Sequence, residues 1–252
     1  MNTMLHVSAS PRHMDSHSRK AAVAAIAELQ EHRPAWQVIE RDLALEPLPH
    51  PDAAFVQASL MPDALRNAAQ RAVLRQSEQL IAELASADAI VLSTPMHNFT
   101  LPSVLKAWVD HIVRPRRTFR LDASGKTGLL HDRPVRVVLA CGGSLVVAPG
   151  GQVDFAIPYL RYVFAVIGLR DFKAIALETA IDVKEFVRRQ RSHPTGWISI
   201  IALTRAHAFG RRTVHSGVLI HADRMGPRYA AHTSARAKAW RSVHSDDDGI
   251  AT

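Results

Sequence analysis

The chain has 252 residues, 47% of them apolar and 21% charged, enough for one sizeable core and too apolar for a wholly disordered protein. A single cysteine excludes a disulfide framework and any zinc site built from several thiolates. The formal net charge of +8 would suit a nucleic-acid binder, but residues 1–183 carry 19 Lys and Arg against 18 Asp and Glu, while residues 184–252 carry 12 against 5. The basic excess therefore belongs to the last quarter, not to the main body. No apolar run approaches 18 residues, and the start, MNTMLHVSAS, lacks the basic and apolar regions of a secretion signal. These features predict a cytoplasmic protein that partners neither nucleic acid nor membrane.

In chain order, Met4–Ser8 reads as a short apolar strand, and Ser18–His32 carries Ala, Ile and Leu at helical spacing. Trp36–Leu43 is a second strand with partial alternation, followed by an irregular stretch forced by Pro47, Pro49 and Pro51. Asp63–Ser86 is a long helical pattern and Asp88–Ser93 a buried-type strand. Pro102 opens a helix that runs to about Val113. Pro134–Cys141 is a β-branched strand, Asp154–Ile167 a helix, and Leu169–Leu177 the final strand. Apolar strands alternating with helices predict an α/β fold, a doubly wound five-stranded parallel sheet of order 2-1-3-4-5, as in flavodoxins. In such sheets ligands bind beyond the carboxyl ends of the strands, beside the switch in strand order. The loops after the first, third and fourth strands are thus the ones to inspect.

The first loop, Ala9–Ser18, has no glycine, which excludes a Rossmann GxGxxG and a Walker A loop. His13 and His17 stand four apart in a proline-containing loop, not on a helix, so no metal site is expected. What remains is Ser10, Ser16 and Ser18 around a helix start, where backbone N–H groups and hydroxyls can hold a phosphate dianion. Ordinary N-capping accounts for one serine well and for three less well. The second loop, Thr94–Thr100 (TPMHNFT), can set Met96 and Phe99 against a flat ring while the Asn98 amide meets a polar edge; a turn with two core residues is the plainer account. The third, Ala140–Ser144 (ACGGS), offers paired glycines for close backbone approach to a planar ligand, or simply a tight turn. Cys141 itself reads as a small buried apolar residue. Together the loops suit an aromatic cofactor ending in a monophosphate, such as FMN.

At these residues the chain resembles the bacterial FMN-dependent NADH azoreductases and NADH:quinone oxidoreductases. LHVSASPR and SHSR (5–19), ERDL (40–43), TPMHNFTLPSVLKAWVDHIVR (94–114), RTFR (117–120), GLL (128–130), VVLACGG (137–143) and DFAIPYLRYVFAVIGLRDF (154–172) carry the resemblance, which covers about residues 1–177. It implies one FMN per subunit of a homodimer, NADH as donor and a quinone or aromatic azo compound as acceptor, with ping-pong two-electron hydride transfer. Ser10 and Ser16, His17 and Ser18 would hold the phosphate region. Met96, His97, Asn98 and Phe99 would line the isoalloxazine, and Ala140, Cys141, Gly142 and Gly143 would border it. No catalytic side chain is required; His97 is either a proton relay to the acceptor or a neutral, hydrogen-bonded histidine.

The chain departs from the family pattern at His97, where Tyr is usual, and at Cys141, where Arg is usual; Leu121 and Val166 replace aromatic residues. Residues 1–180 are expected to form the FMN-binding domain. Residues 181–252, rich in Arg and His, are expected to be a poorly ordered extension in place of the family's acidic, Ala-rich last helix. Three alternatives stay open on sequence alone: a flavodoxin-like electron carrier, an NAD(P)H-dependent flavin reductase, and a member disabled by its altered end.

Overall fold

The computed structural model of the protein describes residues 2–123, 125–145, 151–178 and 188. The expectation for the extension at 181–252 lies, Arg188 apart, outside the described residues. Five strands form one sheet: β1 (Asn2–Ser8), β2 (Trp36–Asp42), β3 (Ala89–Pro95), β6 (Val135–Cys141) and β7 (Phe172–Glu178). Their order is β2-β1-β3-β6-β7 and every pairing is parallel. This is the 2-1-3-4-5 order read from the sequence.

The strands are apolar on both faces because helices cover both. On one face Leu5, Val7, Ile90, Leu92, Val137 and Leu139 pack against α3 (Ala68–Ser86), α4 (Ser103–Ile112) and α5 (Ala156–Val166). Trp108 and Phe164 fill the middle of that layer, fully buried, with ring centroids 6.3 Å apart. On the other face the alternate residues Met4, Ala89, Val91 and Val138 meet Ala21, Ala22, Ala25, Ile26 and Leu29 of α1 (His17–His32). The small alanines of α1 let it lie close over β3 and β6, setting its N-terminus at the carboxyl rim of the sheet.

Three elements differ from the sequence reading. The stretch after Pro47, Pro49 and Pro51 contains a helix, α2 (Ala53–Leu60), begun by Asp52, whose carboxylate accepts the Phe55 N–H at 2.8 Å. The long helix opens at Ala68, not Asp63. A single 3-10 turn at Asp63–Leu65 precedes it, and Asn67 and Gln70 close a reciprocal capping box at the true start. Between α4 and β6 the chain forms an antiparallel hairpin, β4 (Phe119–Asp122) and β5 (Gly125–Gly128), outside the main sheet. Its exit packs directly on the end of α5: a Cβ on Gly128 would lie 2.2 Å from the Gly168 nitrogen, and Gly168 takes φ +107°.

Candidate functional site

The three loops named by the topology rule leave adjacent strands. Ser8 at the end of β1 is in register with Ser93 of β3, and Pro95 at the end of β3 with Ala140 of β6. With strands about 4.8 Å apart, the carboxyl ends of β1, β3 and β6 lie within reach of one small molecule.

In the first loop Ser16 is the N-cap of α1, its Oγ accepting the Arg19 N–H at 3.2 Å. Its hydroxyl also lies 3.2 Å from that of Ser18. Ser10, Ser16 and Ser18 are all buried. The Ser10 hydroxyl accepts the Arg12 N–H at 3.4 Å. No described group accepts from the backbone N–H groups of His17 and Ser18, which leaves two helix-start donors beside clustered hydroxyls. That is a fitting cradle for a phosphate dianion. The His17 side chain does not join it: it is exposed and bonds no described group.

Arg19 was not among the residues singled out in the sequence, yet it ties this loop to β2. Its guanidinium donates to the Ser10 carbonyl at 3.3 Å and to the Asp42 carboxylate at 2.5 Å. Burial raises the Asp42 carboxyl, but Arg19 and the Ala44 and Leu45 N–H groups outweigh it and hold the group below the usual carboxylate range. The signal lay in the quoted motifs: the Arg of SHSR and the Asp of ERDL are the two partners.

In the second loop His97 and Thr100 exchange both backbone hydrogen bonds, each 3.0 Å, across Asn98 at φ +47° and Phe99 at φ +70°. Two left-handed central residues define a type I′ turn. Asn tolerates that conformation; Phe rarely adopts it, and such strain is typical of positions that present a side chain for use. Phe99 stands 52% exposed, and its carbonyl accepts the Phe155 N–H at 3.1 Å. The His97 and Asn98 side chains are exposed, whereas Met96 is half-buried against the core.

The Met96 N–H donates to the Ala140 carbonyl at 2.7 Å, joining the second loop to the third. A Cβ on Gly142 would meet no described group within 4 Å, whereas one on Gly143 would lie 2.5 Å from the Gln152 amide nitrogen. Cys141 is buried, its Sγ 3.7 Å from the Leu177 carbonyl. Burial, then Glu178 and Asp154, push its thiol up to about 11, so it stays protonated and inert near neutral pH. Of the family departures, Leu121 is 73% exposed on the hairpin and Val166 half-buried at the end of α5.

A parallel sheet of this order, with a phosphate cradle, a strained turn and a glycine corner on one rim, defines a flavodoxin-like protein. A family profile described as "Flavodoxin-like fold" matches residues 2–193, and the chain belongs to that family. It is 46% identical over 206 residues to FMN-dependent NADH:quinone oxidoreductase 2 of Cupriavidus pinatubonensis, covering 82% of this chain and all of the relative. It is 39% identical over 188 residues to FMN-dependent NADH:quinone oxidoreductase 4 of Pseudomonas fluorescens, covering 75% of this chain and 89% of the relative. Among solved structures it resembles an FMN-dependent NADH-azoreductase from Bacillus anthracis in complex with FMN. There the TM-score is 0.66 at 23% identity, covering 80% of this chain and all of the other. The family match runs past residue 177, about where the resemblance read from the sequence ends, so it includes the first residues of the Arg/His-rich segment.

Proposed function

We propose that the protein is an FMN-dependent NADH:quinone oxidoreductase that also reduces aromatic azo compounds. The observation that carries this is the convergence of three loops at one rim, the second and third joined by the Met96–Ala140 hydrogen bond and the first ending in a helix start whose N–H donors have no described acceptor. The relatives named above supply the cofactor, donor and acceptor class.

On this reading Ser10, Ser16 and Ser18, with the N–H groups of His17 and Ser18, hold the phosphate. Met96, His97, Asn98 and Phe99 face the ring on one side, and Ala140, Cys141, Gly142 and Gly143 border it on another. When bound, FMN supplies the two-electron redox chemistry that passes hydride from NADH to the acceptor. The chain orients the ring, excludes water from one face and sets backbone N–H donors against developing negative charge. His97, exposed at the turn, is placed to move a proton to or from an acceptor. The protein acts in the cytoplasm, where a single unpaired cysteine suits a reducing milieu, and as a homodimer. Phe99, Val153 and Phe155 are each more than half exposed, with Phe99 and Phe155 joined through their backbones. This is apolar surface of the kind a second subunit covers.

Anaerobic addition of NADH to the purified protein tests the reading. A yellow protein that bleaches, reoxidises with a quinone and gives parallel double-reciprocal plots bears it out. A colourless protein that FMN cannot reconstitute rejects it, and flavin lost on gel filtration would make FMN a substrate instead.

A further inference from the structure

We propose that a cleft between α3 and the turn after α4 is a second binding site, one that takes the phosphate or sulfonate group of an organic ligand through arginines. Its volume is about 600 Å³, far more than a bare inorganic anion fills and typical of pockets for small organic molecules. Arg66, Arg71, Arg116 and Arg117 line it against two carboxylates, Asp63 and Glu78, and Leu74 gives it an apolar wall.

Both carboxylates are already engaged. Glu78 receives Arg114 Nη1 at 2.8 Å and Arg117 Nε at 2.6 Å, and Asp63 receives Arg66 Nη1 at 2.6 Å. Among the described residues Arg71 and Arg116 reach only backbone carbonyls, those of Asp63 and Leu60. Behind Glu78, Arg114 is 1% exposed, and its Nε and Nη2 have no partner among the described groups. Desolvation lowers its pKa first, the hydrogen bond and attraction from Glu78 raise it, and repulsion from Arg66 and Arg117 lowers it again. Arg66, Arg71, Arg114, Arg116 and Arg117 thus face Asp63 and Glu78, so guanidiniums outnumber carboxylates at this place. Planar guanidinium forks in this number match a tetrahedral oxyanion better than any neutral ligand.

The backbone is committed to the same arrangement. Arg116 takes φ +62°, and the turn is pinned by the buried Thr118, whose Oγ1 donates to the Ile112 carbonyl at 2.7 Å and accepts the Arg114 N–H at 3.0 Å. A left-handed arginine held this way directs two successive guanidiniums into one cleft. The ten residues of α4, about 15 Å of helix, separate this turn from the Asn98–Phe99 turn. None of the residues that line the cleft belongs to the phosphate cradle of α1, so the two are distinct. Two sources fit the chemistry: the pyrophosphate of a nicotinamide dinucleotide, or the sulfonate of an aromatic acceptor. Binding of the oxyanion stands without the flavin reading; its assignment to donor or acceptor rests on that reading.

Calorimetric titration of the full-length, FMN-loaded protein with inorganic pyrophosphate tests the site. We expect saturable binding that weakens at least tenfold in the double variant Arg71→Gln/Arg116→Gln, with flavin content unchanged. A several-fold rise in the variant's KM for NADH with an uncharged benzoquinone assigns the cleft to the donor. A rise confined to a sulfonated azo dye, against its uncharged analogue, assigns it to the acceptor. Absence of saturable binding, or equal affinity in parent and variant, overturns the proposal. If the protein holds no FMN, the flavin reading fails, and the same parent-to-variant comparison on the protein as purified still decides this one.

Discussion

The carboxyl rim of the sheet and the arginine cleft both offer positive potential to an anion, but they build it from different parts. At the rim the donors are hydroxyls and the N–H groups at the start of α1, and the guanidinium of Arg19 is spent on Ser10 and Asp42. In the cleft the donors are four long side chains around a tight turn. Backbone donors are placed by the fold and keep a fixed geometry; arginines adapt to the ligand and can be exchanged without disturbing the sheet. A resident cofactor suits the first, and a ligand that comes and goes suits the second.

A charge reversal in each region breaks that comparison most sharply. Ser18→Asp puts a carboxylate in the buried first turn of α1, where a helix tolerates it but a phosphate does not. FMN affinity, read by fluorescence quenching on titration, is expected to fall by about 100-fold or more, or roughly 3 kcal/mol. Arg116→Glu in the cleft should leave that affinity unchanged. Equal losses in both variants would erase the distinction.

Next in size is Asp42→Asn, which removes the anchor of Arg19 and costs about 1–2 kcal/mol in stability. Because the folded Asp42 pKa is depressed, its contribution is fully present above the unfolded carboxylate value and disappears as pH falls through the lower folded value. Urea midpoints of parent and variant should therefore differ at neutral pH and converge below about pH 4. A constant gap down to strong acid would contradict the assignment.

Gly142→Ala sharpens the comparison at the third loop. No described group meets the added methyl within 4 Å, so the melting temperature should hold while FMN binds several-fold more weakly. In Gly143→Ala the described atoms nearest the new methyl are the flexible end of Gln152, with a stability cost below about 1 kcal/mol. The smallest effect concerns Cys141. With its thiol at about 11, alkylation by iodoacetamide at pH 7.5 should proceed far more slowly than for a free thiol, and Cys141→Ser should leave turnover within about twofold.

The rim was legible in the sequence because each part is local: a strand, a loop and a helix start follow one another within about 15 residues. Strand order followed from apolar runs and right-handed crossovers, and the three loops followed from strand order. The helix α2 was hidden by Pro47, Pro49 and Pro51, although Asp52 just beyond them is an N-cap signal. The hairpin β4–β5 was hidden because three of the four β4 residues are exposed, leaving no alternation to detect. Arg19 with Asp42, and the cleft arginines, were not legible for another reason. Residues 23 apart, or 45 apart in the case of Arg71 and Arg116, meet only once the helices have packed, and no periodicity announces such a pair.

The order of the strands also has a consequence for how the chain is made. The β1 loop leaves the ribosome first, yet the rim it belongs to is incomplete until β6 and the glycines at 142 and 143 have emerged and the chain near Phe155 has met Phe99. At about 5–20 residues per second, ten seconds or so of synthesis separate the first part from the last. Flavin capture is thus a late event in biogenesis, open only to nascent chains that have already threaded β3 between their first and fourth sheet strands.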